Sequence, residues 1–203
     1  MIKNVVFDLG KVLVAFDWDI LARKIGFTEE EIKIFAERVV GDRWDEFDRG
    51  VMSEEEAIKY IEEVIPGMEE KFEELWHRVD EAIYVFPYVD EWIKDLKERG
   101  YNIYVLSNFP PKVFLKEEAE KFHFMKYADG KVISGFVKMI KPDREMYEYL
   151  LRTYDLKAEE SIFIDDRPGN IEGAKNAGLH GIVFESYEKT SHELDEILKK
   201  NER

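Results

Sequence analysis

The sequence predicts an α/β fold in which a parallel β-sheet lies between layers of helices, with a small all-helical segment inserted after the first strand. Short apolar runs rich in β-branched residues recur along the chain, as is typical of strands buried on both faces. Helical patterns separate these runs, which favours a parallel sheet with right-handed crossovers. Residues 15–86 differ, because they show one helical pattern after another.

The predicted strands share a short apolar sequence, and the predicted helices between them carry apolar residues on one face. Two of these helices stop at a glycine, Gly100 and Gly178, which is a common helix end. The strands are residues 3–9, 102–106, 161–164 and 181–184, with a weaker one near 132–133. The helices are residues 90–99, 142–153 and 170–177. This alternation predicts a Rossmann-like core, a parallel sheet sandwiched by helices.

Residues 15–86 are predicted to form a helical cap over the core. Thr28 and Ser53 each begin a capping box, in which three glutamates follow the hydroxyl residue and mark a helix start. No convincing strand is found in this stretch. We therefore expect a core of residues 1–14 and 87–203, with the cap inserted as a lid. The alternative is an elaborated crossover without a functional role.

The charge of the chain restricts its partners. The 203 residues are 45% hydrophobic and carry a formal net charge of −15. Nucleic acids and anionic membrane surfaces would be repelled, so neither is expected as a partner. A small phosphate ester would also be repelled overall, and its site needs local positive charge from a lysine, helix amino termini or a metal ion. The oligomeric state is left open between monomer and homodimer.

The amino-acid composition and the amino-terminal sequence bear on the cellular compartment of the protein. The absence of cysteine excludes a disulfide framework, a thiol nucleophile and a cysteine zinc site. The first residues lack the pattern of a signal peptide, and no run approaches the roughly 18 apolar residues of a membrane span. A cytoplasmic protein is expected. The chain has no Gln and many Glu and Lys, a bias associated with hyperthermophile proteins.

Chemically active residues follow different apolar runs. Asp8 follows the first run and Ser107 follows the second, while Lys141 lies at a predicted helix start. Asp165 and Asp166 follow the third run. In a parallel sheet the carboxyl ends of the strands lie along one edge, where ligands bind. If the runs are neighbouring strands, these side chains meet in one crevice.

Each of these residues alone is a weak indication of function. Asp8 fits a nucleophile, with one oxygen attacking phosphorus and the other binding a cation, but a strand-end Asp also caps turns. Asp165 and Asp166 beside Asp8 would repel strongly without a cation, and all-oxygen ligation suits Mg²⁺, although the pair alone fits a solvated loop equally well. Ser107 and Asn108 fit either donors to phosphoryl oxygens or a turn.

Taken in order, the motifs have the pattern of a known superfamily. They are Asp8-Leu9-Gly10, Leu106-Ser107-Asn108, Lys141-Pro142, Asp165-Asp166, Asn170-Ile171-Glu172-Gly173-Ala174 and, in the cap, Asp48-Arg49-Gly50. The chain resembles the haloacid dehalogenase-like hydrolase superfamily along its whole length, and most closely the α-D-glucose-1-phosphate phosphatase type. The resemblance implies a Mg²⁺-dependent phosphatase that acts on a small, sugar-phosphate-like metabolite through an aspartyl-phosphate.

The resemblance also implies roles for individual residues. Asp8 would be the nucleophile, and Ser107 and Lys141 would be catalytic because they bind the transferring oxygens. Asn108 would join them in substrate binding. Mg²⁺ would be held by Asp8, the backbone carbonyl of Gly10 and Asp165, with Asp166 helping either directly or through a water molecule.

From the residues themselves, the aromatic side chains of Trp44, Phe47, Phe72 and Trp76 are expected to form the core of the cap. One of them, with Trp44 favoured because it lies in a polar stretch, is expected to face a sugar ring.

The main departure from the superfamily pattern is Gly10. Most of its phosphatases have a second Asp there, which protonates the leaving oxygen and then activates water, a contribution of about 10²–10⁴-fold. Either another group substitutes or the leaving group needs less help, so sugar 1-phosphates and aryl phosphates are expected to react faster than alkyl phosphates. The candidate substitutes are Asp17, Asp19, Asp45 and His77, although a solvated or capping role fits each of them better.

Two other functions remain open. In a 2-haloacid dehalogenase the same aspartate would attack carbon, but those relatives typically have Tyr at the position of Gly10 and need no metal. A catalytically degenerate domain that binds a phosphorylated ligand would explain the loss of the acid at Gly10. The adjacent Asp165 and Asp166 favour the metal-dependent phosphatase.

Overall fold

The computed structural model describes residues 1–40 and 44–201, so residues 41–43 of the predicted cap and the last two residues lie outside the description. In chain order the strands are β1 (Asn4–Phe7), β2 (Val14–Phe16), β3 (Ile83–Val85), β4 (Asn102–Ser107), β5 (Gly130–Ile133), β6 (Ser161–Asp165) and β7 (His180–Val183). The helices are α1 (Trp18–Ile25), α2 (Glu29–Phe35), α3 (Trp44–Asp48), α4 (Glu54–Val64), α5 (Glu69–His77), α6 (Val89–Glu98), α7 (Pro111–Glu120), α8 (Ser134–Val137), α9 (Arg144–Thr153), α10 (Pro168–Asn176) and α11 (Tyr187–Asn201). Among these helices, none combines the length and the apolar character that a membrane crossing requires.

Five strands form one parallel sheet in the order β5-β4-β1-β6-β7. Phe7, at the end of β1, pairs with Val105 of β4 on one side and with Ile164 of β6 on the other. The residue after Phe7 therefore lies beside Asp165, at the carboxyl edge of the sheet. The predicted fold class and the five predicted strands are confirmed.

Helices cover both faces of this sheet. Val5 and Phe7 point to one face, where they pack in a cluster with Trp92 of α6 and Leu194 of α11. Val6 points to the other face and packs in a separate cluster with residues of α9 and α10. Because successive strand residues point to opposite faces, burial on both sides explains why β1 is apolar at these three positions.

Helix α9 begins later than the sequence predicts. The helical pattern starts at residue 142, but α9 starts at Arg144. The preceding residues form a turn, closed by a hydrogen bond of 2.9 Å from the Asp143 N–H to the Ile140 carbonyl. Lys141 therefore lies in this turn rather than at the start of the helix.

Residues 18–82, which we call the helical insert, contain α1 to α5. Thr28 and Ser53 begin α2 and α4 with the predicted capping boxes. The apolar side chains of the insert form a cluster of their own, in which the rings of Phe35 and Phe72 lie 5.9 Å apart. A separate apolar cluster supports treating the insert as a unit, and the domain bounds remain a prediction.

Two short strands join the helical insert to the sheet domain. Strands β2 and β3 pair in antiparallel fashion, with Phe16 opposite Ile83. The pairing continues one step further, since the Asp17 N–H donates to the Ala82 carbonyl at 2.9 Å. The prediction that residues 15–86 contain no strand was wrong at both ends, because three-residue strands carry too little pattern to be detected.

Candidate active site

Three strand ends bring polar side chains to one point. Asp8 follows β1, Ser107 ends β4 and Asp165 ends β6, and all three side chains are buried. Lys141 reaches the same point from the turn before α9 and is buried as well. The order of the strands produces this arrangement, because β1 lies between β4 and β6. The four side chains that the sequence places in one crevice are in hydrogen-bond contact.

One oxygen of Asp8 is fixed by its neighbours. Oδ1 accepts hydrogen bonds from Ser107 Oγ at 2.8 Å, from the Leu9 N–H at 2.7 Å and from Lys141 Nζ at 2.8 Å. Within the described part of the chain, no group donates a hydrogen bond to Oδ2. Burial raises the pKa of Asp8 to about 6, with repulsion from Asp165 adding to the effect and Lys141 opposing it. Asp8 therefore has one oxygen held by three donors and one oxygen available, as a nucleophile requires.

Lys141 is a buried cation held between two carboxylates. Its Nζ lies 2.8 Å from Asp8 Oδ1 and 2.7 Å from Asp165 Oδ2, and the side chain is 1% exposed. Burial lowers the pKa of Lys141, but the two carboxylates outweigh burial and raise it. Lys141 therefore supplies a fixed positive charge beside Asp8, in a chain whose overall charge is negative.

The turn that carries Lys141 is clamped by its neighbours. Asn108 Oδ1 accepts from the Lys141 N–H at 2.9 Å, and Asn108 Nδ2 donates to the Lys141 carbonyl at 3.0 Å. Helix α10 approaches the turn at Gly173, where a Cβ would lie 2.6 Å from the Pro142 carbonyl oxygen. Asn108 therefore positions Lys141, as Ser107 positions Asp8. A direct contact of either residue with substrate remains a prediction.

Asp165 accepts hydrogen bonds on both oxygens. Oδ1 accepts from the Arg167 N–H at 2.8 Å and from Asn170 Nδ2 at 2.9 Å. Oδ2 accepts from Asn170 Nδ2 at 2.9 Å and from Lys141 Nζ. The Tyr147 hydroxyl donates to the Asn170 carbonyl at 2.7 Å and so fixes the residue that holds Asp165. The sequence named Asn170 only as part of a motif, and no sequence signal pointed to Tyr147.

Three carboxylates lie close enough to share a metal ion. Asp8, Asp165 and Asp166 each offer an oxygen, and these oxygens lie within 4.8 Å of one another. Burial and repulsion from Asp165 raise the pKa of Asp166, while Lys11, 4.0 Å away, opposes the shift. Three carboxylates against one buried ammonium leave two negative charges, which a divalent cation would balance. Because Mg²⁺ prefers oxygen ligands, this donor set fits it. Gly10 lines the adjoining cavity.

A cavity of about 220 Å³ adjoins these groups. Its charged lining at the edge of the sheet comes from Asp8, Lys141 and Asp166, together with Lys11 and Arg167. The helical insert contributes Trp44, whose ring lies 6.5 Å from that of Phe16. Further apolar lining comes from Val14, Ala15, Trp76, Val79, Ile83, Phe109, Pro110 and Val113. The cavity therefore combines a charged end with apolar walls.

The residues considered as replacements for the proton donor that Gly10 cannot supply do not line this cavity. Asp17, Asp19, Asp45 and His77 are all absent from the described residues that line the cavity. The cavity is instead lined by Asp48, the last residue of α3. The sequence singled out Asp48 only as the first residue of an acidic-Arg-Gly stretch. Its neighbourhood is created by folding, so no local pattern could assign it to the site.

The residues Asp48–Gly50, which we call the docked segment, attach the end of α3 to the sheet domain. Ser134 Oγ donates to the carbonyl of Asp48. Lys138 Nζ donates to the carbonyl of Gly50 at 2.7 Å. Both donors belong to the region of α8, directly after β5. The main chain of Asp48 is therefore held against the sheet domain at a position where the residue lines the cavity.

The docked segment also depends on a glycine and on an ion pair. Gly50 has a φ of +62°, and a Cβ there would lie 2.9 Å from the Gly135 carbonyl oxygen. Both the backbone conformation and the close approach exclude a larger residue without displacement. Arg49 Nη2 lies 3.1 Å from Asp143 Oδ2, in the turn that carries Lys141. The segment thus connects the helical insert to the turn of the buried lysine.

Comparison with protein families and relatives agrees with this geometry. A family model described as haloacid dehalogenase-like hydrolase matches residues 2–178. The sesquiterpene phosphatase astK of Aspergillus oryzae is 26% identical over 199 residues, which cover 97% of this chain and 96% of the relative. The D-ribitol-5-phosphate phosphatase of Bacteroides thetaiotaomicron is 26% identical over 213 residues, covering 98% of this chain and 99% of the relative.

A solved structure shares the fold. A HAD family enzyme of Bacteroides thetaiotaomicron, determined in complex with magnesium and inorganic phosphate, superposes with a TM-score of 0.72 at 22% identity. The match covers 92% of this chain and 96% of that chain. At this level of identity the similarity establishes the fold alone. The magnesium and the phosphate are ligands of that relative.

Proposed function

The chain belongs to the haloacid dehalogenase-like hydrolase family, and on that basis we propose that it is a Mg²⁺-dependent phosphatase of a small phosphorylated metabolite. The observation that carries the proposal is the arrangement of Asp8, which has one fixed and one available oxygen, beside the buried Lys141 and the acidic pair Asp165 and Asp166. Phosphatases among the relatives and the apolar-walled cavity next to Asp8 support it.

In the proposed reaction Asp8 attacks the phosphorus atom of the ester and forms an aspartyl-phosphate, which water then hydrolyses. Lys141 offsets the charge of the attacking carboxylate and of the transferring oxygens, and Ser107 keeps Asp8 in its orientation. Positioning and charge neutralisation of this kind supply most of the catalysis in phosphoryl transfer. The buried hydrogen bonds of the site keep these groups in place before the ester arrives.

Mg²⁺ would be held by Asp8, Asp165 and Asp166, together with the backbone carbonyl of Gly10. When bound, it would neutralise charge on the phosphoryl oxygens. The acidic trio supports a phosphatase over a 2-haloacid dehalogenase, because a reaction at carbon gives no reason to gather three carboxylates. Asn170 and the Arg167 N–H would keep Asp165 oriented, a supporting arrangement that usually affects metal affinity.

The substrate is proposed to be sugar-phosphate-like, as the motif resemblance implies. Trp44 supports a contact with a ring, because aromatic side chains pack against flat apolar faces. The apolar walls at Phe16, Trp76 and Val113 support a leaving group that presents an apolar face and carries few charges. Sugar 1-phosphates and aryl phosphates both meet this requirement.

A panel of phosphate esters, assayed with and without Mg²⁺, tests the proposal. We expect turnover that requires Mg²⁺ and that falls on the order of 10⁴-fold or more in Asp8→Asn, because the nucleophile is lost. Asp90→Asn is a matched control, since Asp90 is exposed on α6 and should leave the rate unchanged. Hydrolysis of a 2-haloacid that survives chelation would identify a dehalogenase. Binding of inorganic phosphate without turnover of any ester would identify a degenerate binding domain.

A further inference from the structure

We propose that Asp48, at the end of α3 in the helical insert, is the general acid and base that Gly10 cannot supply. The inference rests on the proposed phosphatase function and adds the residue that protonates the leaving group. A proton donor for phosphoryl transfer has to reach the oxygen that departs in line with the attack, on the far side of phosphorus from the nucleophile. Asp8 enters the cavity from the edge of the sheet, and Asp48 enters it from the insert.

The surroundings of Asp48 make it a defined group rather than a mobile surface acid. Ser134 and Lys138 hold the carbonyls on either side of Arg49, so the main chain at Asp48 is fixed against α8. The left-handed conformation of Gly50 turns the chain away directly after the segment. A general acid needs this kind of fixed position, because its contribution depends on hydrogen-bond distance to one oxygen.

The protonation of Asp48 suits a group that must first give and then take a proton. Burial raises the pKa of Asp48 from its ordinary value of 3.8 to about 7, and repulsion from Asp45 and Asp8 adds to this. Lys141 and Arg167 oppose the shift. These four groups come from α3, the β1 end, the turn before α9 and the turn after β6. Near neutral pH both forms of the carboxyl group are therefore populated, as acid–base catalysis requires.

The proposed reaction has two steps, formation of the aspartyl-phosphate and its hydrolysis. Asp8 forms a bond to phosphorus while the bond to the ester oxygen breaks, and the proton of Asp48 passes to that oxygen, giving the free alcohol. Asp48, now a carboxylate, accepts a proton from water as the water oxygen attacks the aspartyl-phosphate. The bond between phosphorus and Asp8 breaks, inorganic phosphate leaves, and Asp8 and Asp48 return to their starting forms. The sum is ester plus water giving alcohol plus phosphate.

Two substrates of similar shape separate the acid role from a structural one. The leaving group of benzyl phosphate is an alkoxide, which departs poorly and needs a proton. The leaving group of 4-nitrophenyl phosphate is a stable phenolate, which does not. In Asp48→Asn we expect kcat/KM for benzyl phosphate to fall by about 10²–10⁴-fold, and that for 4-nitrophenyl phosphate to fall much less. Glu30→Gln is the matched control, because Glu30 is an exposed acid on α2 of the same insert and is absent from the described cavity lining.

The base role has its own readout. If Asp48 also activates water, Asp48→Asn should release one nitrophenolate per site in a rapid burst and then turn over slowly, because the aspartyl-phosphate accumulates. An equal loss with both substrates and no burst would assign Asp48 a structural role and overturn the proposal, as would unchanged kinetics. Failure of the wild-type protein to hydrolyse either ester would instead refute the proposed phosphatase function.

A stability measurement covers the case in which the variant is poorly active for other reasons. A carboxyl group whose pKa is higher in the folded than in the unfolded state binds its proton more tightly when folded, so its contribution to the free energy of unfolding falls as pH rises from about 4 to about 7. Asp48→Asn lacks this contribution, so its free energy of unfolding relative to the wild type should rise over the same pH range, measured by urea unfolding without Mg²⁺. An identical pH dependence in the two proteins would show that folding does not raise the pKa of Asp48.

Discussion

The two regions that meet at the cavity hold their acidic side chains in different ways. At the sheet edge the carboxylate of Asp165 is fully buried and both its oxygens accept hydrogen bonds from Asn170. In the helical insert, Asp48 is held through main-chain contacts of its own segment with Ser134 and Lys138. The first arrangement fixes a carboxylate and the second fixes only the chain that carries it. The sheet edge is therefore built for permanent charge, and the insert is built to leave one carboxyl group free to exchange a proton.

The sheet edge and the helical insert should therefore respond differently to mutation. Changes at the sheet edge disturb paired buried charges, so they should affect stability and the reaction of every substrate. Changes in the docked segment leave Asp8, the proposed nucleophile, intact, so they should affect substrates according to how much their leaving group needs a proton. The variants described next test this difference, beginning with the largest expected effect.

Lys141→Met should be the most damaging of these variants. It leaves the carboxylates of Asp8 and Asp165 buried without their cation, a loss of about 3–5 kcal/mol in the free energy of unfolding. Turnover should fall on the order of 10²–10³-fold for benzyl and 4-nitrophenyl phosphate alike, because the loss affects the transferring oxygens. Urea unfolding and steady-state kinetics check both expectations.

Lys97→Met is the control for Lys141→Met, since Lys97 pairs with Asp129 at 2.7 Å in a partly exposed position. We expect this control to cost at most about 1 kcal/mol. Added Mg²⁺ should restore part of the stability of Lys141→Met, because a divalent cation would replace the missing charge. Equal stability of the two variants would show that the buried ammonium does not compensate the carboxylates.

Gly50→Ala should have an intermediate effect. Alanine in a left-handed conformation costs about 1–2 kcal/mol, and at Gly50 its Cβ would also displace the Gly135 carbonyl oxygen. Because Asp48 would shift with the segment, kcat/KM for benzyl phosphate should fall by up to about 10²-fold relative to that for 4-nitrophenyl phosphate. Thermal unfolding and the ratio of the two kcat/KM values measure these effects.

Gly26→Ala separates backbone strain from displacement. Gly26 also has a positive φ, of +103°, but no atom lies within 4 Å of the position of its Cβ. The variant should lose at least as much stability through its backbone conformation, because +103° lies further from the φ values that alanine adopts, and should keep the wild-type ratio of the two substrates. A changed ratio in Gly26→Ala would mean that general loss of stability, rather than the position of Asp48, controls that ratio.

Arg49→Gln should have the smallest effect. The Arg49–Asp143 pair is more than a third exposed on both sides, and exposed pairs contribute about 0.2–1 kcal/mol that decreases with added salt. A double-mutant cycle with Asp143→Asn measures the coupling, and the control is the same cycle on the exposed Arg144–Glu148 pair, with Arg144→Gln and Glu148→Gln. A coupling well above that of the control would show that the ion pair, rather than the main-chain contacts, holds the segment.

The sheet and the contacts at its edge were accessible from the sequence because local patterns determine them. Buried strands are continuous apolar runs, and the residue that follows each run must lie at the carboxyl edge. The predicted crevice therefore depended on one assumption, that these runs are neighbouring strands, and the order β4-β1-β6 satisfies it. Asp8 and Asp165 then lie side by side through the register of β1 and β6.

The rest of the site depends on contacts that no local pattern encodes. The side-chain amide of Asn108 forms hydrogen bonds with the main chain of Lys141, more than thirty residues away, whereas the sequence left open a donor to phosphoryl oxygens or a turn. Asp48 enters the cavity only because its neighbours bind the α8 region. Strands β2 and β3 were missed because three residues show no alternation. Long-range packing, and not intrinsic preference, decides each of these cases.

The hydrogen bond between the Asp17 N–H and the Ala82 carbonyl has a consequence for the origin and redesign of the chain. The polypeptide leaves the sheet domain and re-enters it at nearly the same point, and the entropic cost of closing such a loop grows only slowly, by about 0.6 kcal/mol for each doubling of its length. Such a site accepts a segment of any length whose ends meet. A family built on this plan can exchange one inserted segment for another while the sheet domain and the residues at its edge stay the same.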